Sequence, residues 1–534
     1  MTLWGITFNH SKIYFWALVL AAVSLPLSKF TLSISYIILI TNWGLEGDYK
    51  NKFEQLKNNK SFWAFLILFL VHIFWLFNTT NFDYAFHDLK NKILIVFFPF
   101  LIFSSKPLSK IAIRNILLWF SAAIIASSII STSIFTGIID YPITSFRGIS
   151  VFISHIRFGL LINIAIFSLG YIIFSKEYSI PNKIKIGLVF PLLWLIAFLF
   201  ILKSLTAIFI LFITLIVVLG FISFKIKYVV SRLFLQLSLI TLFLVAASFL
   251  THSVSKFYSV EKIEPESLGI FTSSGNPYSH NINDKQIENG NYVWIYYCND
   301  ELEREWNKRS KINFSDKDKL GQDLSYTAVR YLTSKGFRKD SMGVSKLSDS
   351  DIKNIENGIA NYIYTNKFSL YPRIYQILWE IDVYKKGQNP AGNSLTQRIV
   401  YIETAIKIIK SNFWIGVGTG DVKDEFSNQY KKDSSQLPTN RQLRAHNQYI
   451  TFLLTFGIFG FLVVFIALIY PYFQSKGYRN FLLTTFFLIA MLSMLNEDTL
   501  ETQTGISFFS YFYALFLLNN EKIKHKQTDD NGKE

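Results

Sequence analysis

The stretch Arg441-Gln442-Leu443-Arg444-Ala445-His446-Asn447 runs without a break into Gln448-Tyr449-Ile450-Thr451-Phe452-Leu453-Leu454, and it joins two kinds of chain. Behind it, residues 252–446 form one long polar segment. Ahead of it, Tyr449–Tyr470 carries no charged residue. A helix needs about 20 apolar residues to cross the hydrocarbon core of a bilayer, and the run from 447 supplies them. Histidine and arginine are therefore delivered to a lipid surface at the point where a membrane helix begins. A site so placed suits a substrate that is half lipid and half water-soluble.

The same apolar density recurs outward from this stretch. The chain of 534 residues is 51% hydrophobic and 17% charged, where soluble domains average about 25% charged. The charges are clustered, and windows such as Ile116–Gly137, Leu205–Ser223 and Leu233–Leu250 hold none. About twelve membrane spans are predicted: 12–28, 30–44, 61–78, 92–105, 114–137, 156–175, 185–202, 204–223, 229–250, 447–473, 480–495 and 503–519. The first follows too short a basic region for a cleaved signal peptide and reads as a retained helix. The expected fold class is an all-α integral membrane protein with about 12 transmembrane helices and one large, mainly helical loop domain. Its parts are 1–251 with the first nine spans, 252–446 as the loop domain, 447–520 with the last three spans, and a tail at 521–534.

Loop charge sets the orientation. With the N-terminus inside, the cytoplasmic loops hold Lys50, Lys52, Lys57 and Lys60, then Lys106, Lys110 and Arg114, then Lys176, Lys183 and Lys185. Lys225, Lys227, Arg232, Lys476 and Arg479 follow, and the tail adds Lys522, Lys524 and Lys526. The short loops of the other face hold few, which is the positive-inside pattern. It places 252–446 outside the cytoplasm and makes the tail cytoplasmic. The net charge of +16 follows from this topology. No basic stripe with interleaved aromatics stands on a soluble domain, so no nucleic-acid partner is expected. Cys298 is the single cysteine, and one cysteine makes no internal disulfide.

The polar segment reads as folded. Ile352, Ile355, Ile359 and Ile363 recur at helical spacing over Ser350–Tyr364, with Ser348 or Ser350 as cap. Tyr371–Val383 reads as a second helix. Arg398–Lys410 reads as a third, with Ile402, Ala405, Ile406 and Ile409 on one face and Ser394 or Thr396 as cap. A further helix is expected near 292–309, and mobility at the start of 261–346. After the third helix, Gly416, Gly418 and Gly420 favour a tight turn that positions the return to the membrane. They follow no strand and open no βαβ unit, so a nucleotide loop is not the reading. The histidines lack metal-ligand spacing, no cysteine pair exists, and neither a G-x-S-x-G elbow nor a Walker A motif is present. No metal and no cofactor is expected.

Cations at the outer boundary ask for a reason. Arg157 opens span six in Ser154-His155-Ile156-Arg157-Phe158-Gly159, and Lys203 sits in a very short turn between spans seven and eight. Both are either snorkelling side chains or parts of a site. Arg398, Arg441, Arg444 and His446 join the same level from the polar segment. Arginine grips phosphate through two parallel hydrogen bonds, and a near-neutral histidine can take a proton from an attacking hydroxyl. A lipid-pyrophosphate glycan donor would need both. Asn447 orients that imidazole or caps the following helix. Glu497 and Glu501, before the last span, read as ordinary exposed acids rather than as partners of an arginine.

Here the chain resembles the O-antigen ligase/polymerase family of polytopic membrane glycosyltransferases. The likeness lies in Arg398 opening a helix that ends in NFWIGVGTGDV, in RAHNQYITFLLTFGIFG, in EDTLETQTGISFFSYFYALF, and in SHIRFGLL at span six. It covers roughly 150–520 in order and spacing. It implies a GT-C-like membrane protein of the bacterial inner membrane with a large periplasmic loop. It implies inverting, metal-independent transfer of a glycan from undecaprenyl pyrophosphate, in the ligase branch to a lipid A-core acceptor, among membrane lipids. His446 would be the base. Arg398 would bind the pyrophosphate with Arg157, Lys203 and Arg444, and Asn447, Gly416 and Gly418 would support the site. Ligases often carry an arginine where this chain has Leu205, after Lys203-Ser204; by the resemblance Lys203 or Arg157 would supply that charge. The outer loop is also longer than in plain ligases.

The rival readings are an O-antigen polymerase or a protein O-oligosaccharyltransferase, which share the donor half of the site, and a transporter or flippase with a cap. Transporters place charges at mid-membrane and often show inverted repeats; here the charges lie at one rim and no repeat is visible. A sensor would need an output domain, for which the short cytoplasmic parts are too small.

Overall fold

The computed structural model describes residues 2–3, 6–7, 9–142, 146–178, 180–260, 263–366, 369–387 and 389–531. The chain is mostly helical. Its helices are α1 His10–Leu27, α2 Lys29–Glu46, α3 Tyr49–Asn58, α4 Lys60–Phe74, α5 Phe82–Lys92, α6 Leu94–Ser104, α7 Lys110–Thr136, α8 His155–Phe174, α9 Asn182–Leu202, α10 Leu205–Ser223 and α11 Val229–Tyr258. After them come α12 Asn299–Arg309, α13 Leu324–Ser334, α14 Ser341–Ser345, α15 Asp349–Glu356, α16 Tyr371–Lys385, α17 Ser394–Ser411, α18 Val422–Lys432, α19 Gln448–Gln474, α20 Phe481–Ser493 and α21 Gln503–Asn531. The strands among the described residues are two-residue pairs, such as Ile287–Glu288 with Asn291–Tyr292.

All twelve apolar stretches read from the sequence fall on helices. Eight helical stretches among the described residues are long and apolar enough to cross a membrane, and α20 and Gln503–Leu518 are shorter apolar helices. The predicted fourth span lands on α6, whose eleven residues rise about 16 Å, half of a hydrocarbon core. The last helix continues past the predicted span to Asn531, and residues 532–534 of the predicted tail lie outside the described residues. On α11, Phe234, Leu237, Ile240, Phe243 and Val245 are all exposed. A helix apolar on every side and facing outward is one whose solvent is lipid.

The chain forms two compact units, Met1–Leu235 with Gln397–Glu534, and Gln236–Thr396. The segment 397–446, polar and therefore read with the loop domain, belongs to the unit that holds the apolar helices. Polarity reports which surfaces meet water, whereas compactness reports what a segment packs on.

The first unit is centred on α21, where Tyr511, Phe512, Tyr513 and Leu515 are fully buried. Buried hydroxyls there find carbonyls: Tyr511 donates to Leu18 O at 2.9 Å and Tyr513 to Leu468 O at 3.0 Å. In the second unit Leu302, Trp306, Leu324, Leu332, Val344 and Ile355 make a core. Beside it Arg330 Nε donates to Glu288 Oε1 at 2.7 Å and lies 3.9 Å from the Trp379 ring. Ser348 caps α15 in a reciprocal capping box with Asp351. That helix ends at Glu356 rather than continuing to 364, because Gly358 takes a left-handed conformation (φ 79°). The helix expected near 292–309 begins only at Asn299, after the strand at Asn291–Tyr292.

Candidate functional site

Within the first unit, the chain from Arg441 to Gln448 is clamped at both ends. Tyr401, one turn after Arg398 on α17, donates its hydroxyl to Arg441 O at 2.7 Å, and Tyr430 of α18 donates to Leu443 O at 2.7 Å. Beyond His446, Asn447 Nδ2 donates to Leu495 O at 2.9 Å, and Gln448 N donates to Met494 O at 2.9 Å. Asn447 Oδ1 meanwhile accepts from Ile450 N at 3.1 Å and caps α19. Between these fixed points His446 takes the left-handed backbone region, φ 50°. A non-glycine residue there is held by its surroundings, and such residues gather at functional sites.

The His446 ring lies 5.7 Å from the ring of Tyr401, tilted by 43°. Among the described residues neither of its nitrogens makes a hydrogen bond. Burial lowers its pKa first, and the Arg398, Arg444 and Arg157 guanidinium groups lower it further, to about 4. Desolvation and nearby positive charge both disfavour imidazolium, so the ring is a neutral, unengaged base at pH 7.

Each flanking arginine meets an acid from the turn at 494–502. Arg398 donates Nη1 to Asn496 Oδ1 at 2.9 Å and Nη2 to Glu497 Oε1 at 3.3 Å, and Asn496 in turn donates to Thr206 Oγ1 at 2.7 Å. Arg444 Nη1 donates to Glu501 Oε2 at 3.1 Å. The other oxygen of Glu501 takes Lys92 Nζ at 2.6 Å and Gln448 Nε2 at 3.0 Å, and Lys92 also reaches Leu500 O at 2.7 Å. Burial pushes Glu501 up, but Lys92 and Arg444 outweigh it and hold the carboxyl at about 2. Glu497 goes the other way: burial raises it above the ordinary value, against the pull of Arg398 and Arg157.

The expectation that Glu497 and Glu501 are exposed acids is thus corrected. Their side chains are only 14% and 6% exposed, and both bind the site's arginines. Lys92, Asn496, Gln448 and Tyr401 were not singled out from the sequence either. Lys92 had left a signal, as a cation at the very start of an apolar run, where charge is costly.

The remaining residues divide. Arg157, on the first turn of α8, acts electrostatically on both His446 and Glu497. Lys203 ends α9 in the left-handed region, φ 49°, and three residues on Thr206 accepts from Asn496 at 2.7 Å. Arg441 is exposed, and its carbonyl is the part the fold uses.

Gly416 and Gly418 serve the scaffold. Gly457 breaks α19 (φ 59°, ψ −172°), which frees carbonyls inside an apolar helix, where each must find a donor. Val417 N donates to Leu454 O at 3.0 Å, Gly418 N donates to Thr455 O at 2.9 Å, and Ile458 N donates to Phe413 O at 2.8 Å. A Cβ on Gly418 would stand 2.1 Å from Asn78 O, so the loop docks only because that side chain is absent. Trp75 Nε1 donates to Ile415 O at 2.6 Å, and Asp421 accepts from Thr80 N and Asn81 N at 2.8 and 2.7 Å. The wedge aligns α17 before it and the 441–447 stretch after it.

Residues 355–465 match the family model described as O-antigen ligase. That span contains Arg398, Gly416, Gly418, Arg444, His446 and the break at Gly457, and over it the chain is similar to that family. Among the curated proteins none matches the chain.

Proposed function

We propose that this chain is an O-antigen ligase that transfers a glycan from undecaprenyl pyrophosphate to a lipid A-core or similar acceptor at the periplasmic face of a bacterial inner membrane. The family itself points to ligase- or polymerase-type glycosyl transfer. The observation that carries the finer reading is His446: a neutral imidazole without a hydrogen-bond partner among the described residues, with three guanidinium groups acting on it, at the start of a membrane helix.

In the reaction, an acceptor hydroxyl attacks the anomeric carbon and gives its proton to a ring nitrogen of His446. The bond from that carbon to the pyrophosphate oxygen breaks, and its electron pair leaves with undecaprenyl pyrophosphate. Attack opposite the leaving group inverts the anomeric centre. Arg398 and Arg157 meet the charge that grows on the leaving oxygen, in a site where water is scarce and such donors count most. Lys203 adds longer-range positive charge. Arg444 acts mainly by holding the 444–446 backbone through Glu501.

The test is a null strain carrying wild-type protein or His446→Ala, with lipopolysaccharide and lipid-linked glycan compared on gels. Loss of the base lowers transfer by about 10²- to 10⁴-fold. Core without chains, beside accumulated long lipid-linked glycan, is the outcome for a ligase. Chains that stop at one repeat unit make the protein a polymerase. A wild-type profile from His446→Ala removes His446 from the chemistry and favours transfer to protein acceptors or transport.

A further inference from the structure

Glu497 stands where a negatively charged ligand of Arg398 belongs. Together with Asn496 it fills both arms of one guanidinium, at 3.3 and 2.9 Å, as two oxygens of a phosphate would. Arg157 lines the same crevice as Glu497, against an apolar wall that includes Leu160 and Phe508. Among the described residues Arg157 makes no hydrogen bond or ion pair.

The Arg398–Glu497 contact is also suited to opening. Charge-assisted N–H···O bonds usually close to about 2.7–2.9 Å; this one is 3.3 Å, and its side chains remain 24% and 14% exposed. Among the described residues Glu497 pairs with one cation, Arg398, whereas Glu501 is held by Lys92, Arg444 and Gln448 together.

We infer that Glu497 is a resident substitute for a phosphate oxygen, a carboxylate that keeps Arg398 and Arg157 poised and is displaced when the pyrophosphate of a lipid-linked donor enters. The identity of that anion rests on the function proposed above; the exchange itself rests on the geometry. Arg157 lies beside an apolar wall, where a cation is costly without a counter-charge, and Glu497 supplies one between turnovers. A pyrophosphate brings more charge and more oxygens, so it wins the guanidinium. The product also carries the pyrophosphate, and an enzyme that binds donor and product equally well gains nothing in turnover. The returning carboxylate competes with the product and speeds its release. Burial already raises the pKa of Glu497, which lowers the penalty for releasing it from its arginine.

The experiment uses the full chain in lipid nanodiscs and measures binding of inorganic pyrophosphate and of undecaprenyl pyrophosphate. Glu497→Gln should bind undecaprenyl pyrophosphate about tenfold more tightly than wild type, the effect of removing one competing charge worth about 1.4 kcal/mol. Glu497→Asp, which keeps the charge at shorter reach, should fall between, and its rank decides the matter if the glutamine variant does not fold. Arg398→Ala should lose binding. Equal or weaker binding by Glu497→Gln, with Arg398→Ala still defective, overturns the exchange and leaves the functional reading standing. Tightening toward inorganic pyrophosphate alone overturns exchange with a lipid-linked donor. No binding of either probe to wild type overturns the functional reading, and the exchange with it.

Discussion

Arg398 and Arg444 each meet a glutamate from the same turn, at positions four apart, but the two pairs sit in different company. Glu501 is 6% exposed and shared among Arg444, Lys92 and Gln448. Glu497 is 14% exposed and, among the described residues, its one cationic partner is Arg398. In the first pair Glu501 is the shared counter-charge of Lys92 and Arg444, so removing it weakens both. In the second, Arg398 is held by Asn496 at 2.9 Å and by Glu497 at the longer distance of 3.3 Å. Like chemistry thus serves two ends: the Glu501 pair fixes the backbone that presents His446, and the Glu497 pair keeps an arginine available.

The largest test of this contrast is stability. Among the described residues, Glu501→Ala leaves Lys92, whose side chain is 1% exposed, with only the longer carboxylate contact to Asp88 at 4.0 Å, and breaking such a buried pair typically removes about 3–5 kcal/mol. Glu497→Ala should cost less, because Arg398 keeps its bond to Asn496 at 2.9 Å and its side chain is 24% exposed. Thermal unfolding of the two purified variants compares them directly, and equal losses would break the contrast. Next in size is Arg398→Lys, which keeps the charge but loses the two-armed grip. Hydrogen bonds to charged groups are worth about 1.5–3 kcal/mol, so kcat/KM should fall roughly 10- to 100-fold. Arg444→Lys retains its role toward Glu501 and should fall only a few-fold; the reverse order would exchange the roles of the two arginines.

The smallest effect is a displaced pH limb. An ordinary histidine titrates near 6.5, and His446 is brought down to about 4 by burial and then by Arg398, Arg444 and Arg157. Its folded pKa is depressed, so the neutral base persists on acidification and is lost only as pH falls through about 4. The acidic limb of kcat/KM, which reports the free enzyme, should lie there and move upward in Arg398→Gln. A wild-type limb near 6.5 would mean that the arginines do not act on this imidazole.

Much of this was legible in the sequence. Every apolar stretch became a helix, because hydropathy and helical propensity act over a few turns of local chain. The union of Arg398, Arg444 and His446 was legible too, since 441–447 delivers two of them to one boundary and α17 begins beside the third. The acids were not. An Asp- and Glu-bearing turn before a membrane helix reads as solvated, and only the fold brings Lys92 to Glu501 across 409 residues. The glycines were legible as a turn but not as a wedge. That function requires the break at Gly457 and the carbonyls of Leu454 and Thr455, which no spacing within 413–420 encodes.

The sequence by itself determined that this chain is a bundle of apolar helices with a large polar excursion, and that arginines and a histidine gather where the excursion ends. Those properties follow from summed, local transfer energies. The tertiary structure alone decided which arginine is locked and which is free to exchange its partner. Ion pairing depends on distance and on the water left around each charge, and both are set by segments hundreds of residues apart.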